Sequence, residues 1–104
     1  MATVTNTVKL PDGTTPSRVD VTIELVTSAH VRTSGWVTAN GNTVLSAARP
    51  TVTAGVWSAD LTPNANITPA GTVYKVTEVA DRHSYVHFIS VDADGGTLYS
   101  LREP

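Results

Sequence analysis

The sequence predicts an all-β fold, specifically a two-sheet antiparallel β-sandwich of about seven to nine short strands. Three observations lead there. Thr and Val supply nearly a third of the residues, while Leu, Glu and Lys are scarce. β-Branched side chains suit a pleated, half-buried surface and lose χ1 freedom in helices. Apolar residues alternate with polar ones along several segments, and turn residues recur every ten positions or so. No 3.6-residue helical pattern, internal repeat or low-complexity tract interrupts this reading.

Val4–Leu10 reads as the first strand, and Pro11-Asp-Gly-Thr-Thr-Pro16 as a turn with Gly13 supplying a positive φ. Val19, Val21, Ile23 and Leu25 alternate with Asp20, Thr22 and Glu24, giving the cleanest amphipathic strand. Gly35–Ala39 and Asn42–Ser46 read as a hairpin in which Asn40-Gly41 favours a type I′ turn. Pro50 breaks the next segment or confines it to a sheet edge, and Val52–Gly55 leads into a strand with Trp57, Ala59 and Leu61 facing inward.

Pro63 and Pro69, with Asn64 and Asn66 between them and Gly71 after, specify a rigid crossover that carries the chain from one sheet to the other. Strands over Thr72–Val79 and Ser84–Val91 come next, separated by Ala80-Asp-Arg-His83. The hairpin turn Asp92-Ala-Asp-Gly-Gly96 then leads to a last strand, Thr97–Leu101. Pro50, Lys9 or Lys75 would guard edge strands against pairing, and a partner chain could use such an edge by strand addition.

A chain of 104 residues fits one domain, residues 1–104. At this size a domain buries roughly two-thirds of its unfolded surface, enough for a core without metal or disulfide. The absence of cysteine removes disulfides, thiolate zinc sites and cysteine nucleophiles. The seven basic residues are scattered and the net charge is −2, so no basic stripe for nucleic acid is visible. The first residues, Met-Ala-Thr-Val-Thr-Asn-Thr, lack the basic start and apolar run of a signal peptide. The apolar runs are far short of a membrane span.

Candidate chemistry is thin. His83, Tyr85 and His87 share one face of a strand, with Asp81 beyond them if extension continues. Strand positions four apart lie roughly 13 Å apart, so one metal ion cannot join His83 to His87 directly. Solvated or interface histidines are the reading. Asp92-Ala-Asp-Gly-Gly96 resembles the start of a calcium loop, with Glu103 at its twelfth position. Thr97 occupies the sixth place, where a glycine is needed.

No Gly-x-Ser-x-Gly turn occurs, and Ser28 near His30 has no specificity as a nucleophile pair. Paired carboxylates of the glycosidase kind are not legible in sequence. Asn66-Ile-Thr68 is formally a glycosylation sequon and reads as part of the corner. Trp57 reads as a core residue. Trp36 has core or edge packing as one reading and an interface or sugar-stacking role as the other.

Four motifs then occur in a fixed order through about two-thirds of the chain: Leu10-Pro-Asp-Gly-Thr14, Thr53-Ala-Gly-Val-Trp57, Leu61-Thr-Pro-Asn64 and Thr68-Pro-Ala-Gly-Thr-Val-Tyr-Lys-Val76. This series resembles the small prealbumin-like or immunoglobulin-like β-sandwich modules in tail fibres and other virion proteins of tailed bacteriophages. There the pattern runs Leu-Pro-Asp-Gly, Gly-x-Trp, Leu-x-Pro-Asn and Pro-x-Gly-Thr-x-Tyr. The Trp36 hairpin, Pro50 and the Leu101-Arg-Glu-Pro104 ending depart from it.

The resemblance implies a non-enzymatic virion structural protein, made in the host cytoplasm, without cofactor or metal. Its place would be an assembly or adaptor module of the tail, baseplate or fibre. The alternatives are a capsid head-decoration protein and a carbohydrate-binding or adhesive domain. Expected partners are tail, baseplate or capsid subunits, a further copy of the chain, or a host-surface glycan, without nucleic-acid binding or membrane insertion. Trp36, Tyr85 and His87 are the candidate interaction residues.

Overall fold

The computed structural model describes residues 2–81 and 83–102. The expectations placed on Arg82 in the turn before His83, and on Glu103 and Pro104, fall outside the described residues. Eleven strands are present among those residues, more than the seven to nine expected: β1 (Ala2–Thr7), β2 (Val19–Val26), β3 (Gly35–Val37), β4 (Thr43–Val44), β5 (Ala47–Ala48), β6 (Val52–Thr53), β7 (Val56–Leu61), β8 (Ile67–Thr68), β9 (Val73–Ala80), β10 (His83–Ile89) and β11 (Gly96–Thr97). The excess comes from two-residue strands that pair briefly beside longer ones, too short for an alternation pattern to register.

Two four-stranded sheets have the orders β11-β1-β7-β6 and β10-β9-β2-β5. Their apolar faces meet in one core: Ala2, Val4, Trp57 and Leu61 from the first, Val21, Ile23, Leu25, Tyr74, Val76 and Ile89 from the second. Each fully buried large side chain contributes roughly 1.5–3 kcal/mol. The two-sheet antiparallel expectation needs two corrections. A third sheet, β4-β3-β8, forms around Trp36, and β11 runs parallel to β1, with Val4 opposite Gly96. A parallel partner can reach β1 because the chain returns to it after a long excursion instead of through a tight hairpin.

The turns show which sequence signals governed. Leu10–Thr14 closes as expected, with the Gly13 amide donating to Leu10 O (2.8 Å) and the Leu10 amide to Thr14 O (2.9 Å). The Thr14 hydroxyl and amide both donate to Asp12 and hold its carboxyl below the usual range. The first strand nevertheless ends at Thr7, short of Leu10, because this turn withdraws the chain; the Val8 amide donates instead to Gly55 O at 2.7 Å.

The Asn40-Gly41 hairpin forms, with Trp36 opposite Thr43, but not as a type I′ turn. Of the pair, Gly41 alone has a positive φ, 75°, and its amide donates to Val37 O across a longer loop. The two-residue loop with both φ positive lies at Ala54 (52°) and Gly55 (77°), between the paired Thr53 and Val56. A β-carbon on Gly55 would sit 2.7 Å from Val8 O, so this glycine is required both for its φ and for the close approach.

Lys75 does not guard an edge, since β9 is paired on both sides. Lys9 and Pro50 stand outside the strands, Pro50 between the edge strands β5 and β6.

The Pro63–Gly71 crossover links β7 of one sheet to β9 of the other, as its residues predict. A 3₁₀ turn, Asn64–Asn66, forms its bend. Asn64 is buried and held on three sides: its backbone N–H donates to Val91 O (3.0 Å), its Oδ1 accepts from the Val91 amide (2.8 Å) and its Nδ2 donates to Thr72 Oγ1 (3.3 Å). Tyr74 donates its hydroxyl to Thr62 O at 2.7 Å, and burial pushes its pKa up to about 12.

The end of the chain corrects two further expectations. Asp92–Gly95 is a turn, with Asp92 Oδ1 accepting from the Asp94 and Gly95 amides, but not a hairpin, because β11 pairs with β1 instead of β10. The expected strand Thr97–Leu101 is instead a single helical turn, α1 (Leu98–Leu101), capped by Thr97 Oγ1 accepting from the Ser100 amide. An extended chain would send Leu98 and Leu101 to opposite faces; a helix places residues three apart together, and both are buried here.

Candidate functional site

β9 and β10 form a hairpin in which Val76 faces His87, Glu78 faces Tyr85 and Ala80 faces His83. Opposed residues share a face of the sheet. This face carries Tyr74 and Val76 into the core, so His83, Tyr85, His87 and Glu78 project to the inner side. The expected one-face alignment of His83, Tyr85 and His87 holds. Its continuation to Asp81 does not, because Asp81 turns the chain with φ 55°.

Glu78 is the residue that sequence reasoning passed over. Its side of β9 otherwise carries Tyr74, Val76 and Ala80, all buried, and Glu78 is itself only 4% exposed. A carboxylate at an apolar position of an alternating strand was the available signal. Buried charge is costly unless partners replace water, and here they do. Glu78 Oε2 accepts from Trp57 Nε1 at 2.8 Å and from Asn6 Nδ2 at 2.7 Å. Asn6 and Trp57 are themselves a cross-strand pair of β1 and β7. On its other oxygen, Oε1, the carboxylate meets His87 Nε2 at 3.3 Å. Glu78 thus ties one sheet to both central strands of the other. Among the described residues every buried side-chain nitrogen or oxygen has a hydrogen-bond partner.

Of the expected interaction residues, Tyr85 and His87 are brought together with Glu78, while Trp36 is not. Tyr85 is 58% exposed and lines a shallow cleft of about 70 Å³ with Lys9, Pro11 and His83. His87 is half-buried against the carboxylate. Trp36, 49% exposed, stands on the separate β4-β3-β8 sheet between Thr43 and Thr68. Trp57 is buried, as the alternation predicted.

His30 leaves Ser28 aside and stacks on Phe88, with ring centroids 3.8 Å apart. A larger groove of about 410 Å³ lies elsewhere, between Ile23, Val44, Leu45, Asp60 and Tyr74. Among the described residues no three His, Asp or Glu side chains converge closely enough to hold a metal ion. No helix there is long and apolar enough to cross a membrane.

The chemistry of the Glu78 cluster is that of a clasp. Its donors are already spent on the carboxylate, and the exposed part of the hairpin offers an aromatic ring, imidazoles and an open strand edge. Neither protein-family models nor curated protein sequences give a match to this chain.

Proposed function

We propose that this chain is a non-catalytic structural subunit of a tailed-bacteriophage virion, acting as an assembly or adaptor module of the tail, baseplate or fibre. In this reading the fold is a prealbumin-like or immunoglobulin-like sandwich. One observation carries the proposal: the four ordered motifs that resemble virion modules all fall on the frame of the sandwich. Leu10–Thr14 is a closed turn, Thr53–Trp57 is a two-residue hairpin ending in a core tryptophan, and Leu61–Asn64 with Thr68–Val76 forms the inter-sheet crossover. A frame shared in order supports common architecture, and architecture supports function only by analogy. Function would then reside in contacts with neighbouring subunits, each weak and multiplied by repetition.

The test is mass spectrometry of purified particles from cells carrying the gene, followed by immunogold labelling. The chain is expected in stoichiometric amount, with label on the tail. Label on the capsid would select the head-decoration alternative, and absence from particles would overturn the virion reading.

The exposed Trp36 ring favours one rival, a glycan-binding domain. Trp36 and Tyr85 lie on different sheets, so a glycan would stack on Trp36 alone. Glycan-array binding abolished by Trp36→Ala, with the fold retained, would support that rival.

A further inference from the structure

We infer that the β10 edge is a self-association surface, on which a second copy of this chain adds its own β10 in antiparallel register. This goes beyond the virion reading and does not depend on it. β10 ends its sheet. Its far end is closed, because Ile89 bridges Arg102 and the Ser90 amide donates to Leu101 O. Among the described residues, none pairs with His83–Phe88 on the outer side. The other sheet-terminal strands, β11, β6, β5, β4 and β8, are two residues each. Short edges are one of the ways proteins avoid pairing, along with lysine, proline and inward-pointing charge. β10 is seven residues long and has neither lysine nor proline between 83 and 88.

Two features point to a copy of the same chain. First, residues 83–88 carry no Lys, Arg, Asp or Glu. Like charges directly opposite each other are the usual obstacle to self-pairing, and here there are none. A neutral edge also offers nothing with which to steer or select a charged foreign strand. Second, the apolar surface is placed on both faces of the edge. Tyr85 is exposed on the inner face and Val86, at 48%, on the outer.

A two-fold axis perpendicular to the sheet keeps each face continuous across the join and makes the contact isologous. Residues of one face must then oppose residues of the same face. The registers that fit the six free residues are centred on Tyr85 or on Val86. The first sets His83 against His87 of the second copy; the second sets Tyr85 against that His87. An interface of one strand lies below the roughly 1,200 Å² typical of tight complexes, so a concentration-dependent dimer is expected.

Sedimentation velocity of the full chain across a concentration series tests this. Wild type should pass from monomer to dimer. Val86→Lys, and independently Ser84→Lys, should raise the dissociation constant at least about tenfold, which is roughly 1.4 kcal/mol, with far-UV circular dichroism and melting unchanged. Since the chain has no cysteine, Tyr85→Cys and Val86→Cys provide a positional check. The one nearest the axis should form an interchain disulfide on oxidation, and Leu45→Cys, exposed far along the chain, should not. A monomer at every concentration, a dimer indifferent to both lysines, or cross-linking no better at 85 and 86 than at 45 would each overturn the inference.

Discussion

The Asn64 corner and the Glu78 clasp both hold the two sheets to one core, with opposite materials. Asn64 is neutral, lies at a bend of the chain and bonds mainly to the backbone of the neighbouring Val91. Glu78 is a carboxylate within a regular strand, and its partners are side chains of three other strands. An amide serving a backbone can be lost at the cost of one exposed or unpaired group. A buried carboxylate organises its neighbours, so its removal leaves an indole and an amide with unspent donors. The corner fixes where the chain crosses; the clasp fixes how the sheets face each other.

The largest expected effect is that of Glu78→Ala, which should cost about 3–5 kcal/mol through lost partners and the space left behind, read from urea unfolding. A loss below that of Asn64→Ala would break the comparison. Asn64→Ala itself should cost about 1–3 kcal/mol, with the Val91 amide exchanging faster with deuterium while the Trp57 indole stays protected.

Tyr74→Phe probes the corner by pH. The folded-state pKa of Tyr74 is raised to about 12, above the ordinary value near 10. Its neutral form is therefore favoured by the fold. That contribution is complete below pH ~10 and declines as the pH rises toward ~12, by up to about 3 kcal/mol. The phenylalanine variant should lose this part of the alkaline decline and about 1 kcal/mol at neutral pH from the missing hydrogen bond. Chemical denaturation at a series of pH values separates the two.

The smallest effect belongs to His87→Ala. This partner is partly exposed, so about 0.5–1 kcal/mol is expected, and a double-mutant cycle with Glu78→Gln should show coupling that the pair Asn64→Ala and His87→Ala lacks.

The same comparison explains what could be read in advance. The corner was legible because Pro63, Asn64, Pro69 and Gly71 act through backbone chemistry that is local to the sequence. β2, β7 and β9 were legible because their alternation reports burial directly. Glu78 was hidden because Asn6 and Trp57, which donate to it, are distant in sequence, and only the assembled sheets bring those donors to it. The third sheet around Trp36 and the parallel β11 were hidden for the same reason, since two-residue strands exist only by virtue of their neighbours. α1 was misread because Leu98 and Leu101 fit an apolar strand as well as one helical turn, and the choice rests on the Thr97 cap and a core that accepts both leucines. Of the candidate site, Tyr85 and His87 came together as their spacing implied; Trp36 stood apart because β3 belongs to another sheet.

The position of β1 carries a consequence for the order of events in folding. Val4 pairs with Ala59 on one side and with Gly96 on the other. β1 therefore waits for partners that are synthesised long after it, first β7 and finally β11. Contacts so distant along the chain pay their loop-closure entropy before they yield any stability. β9 and β10, joined by a tight turn, can pair as soon as they emerge. Folding should thus begin at the β9–β10 hairpin, with β1 closing between β7 and β11 as the last long-range step.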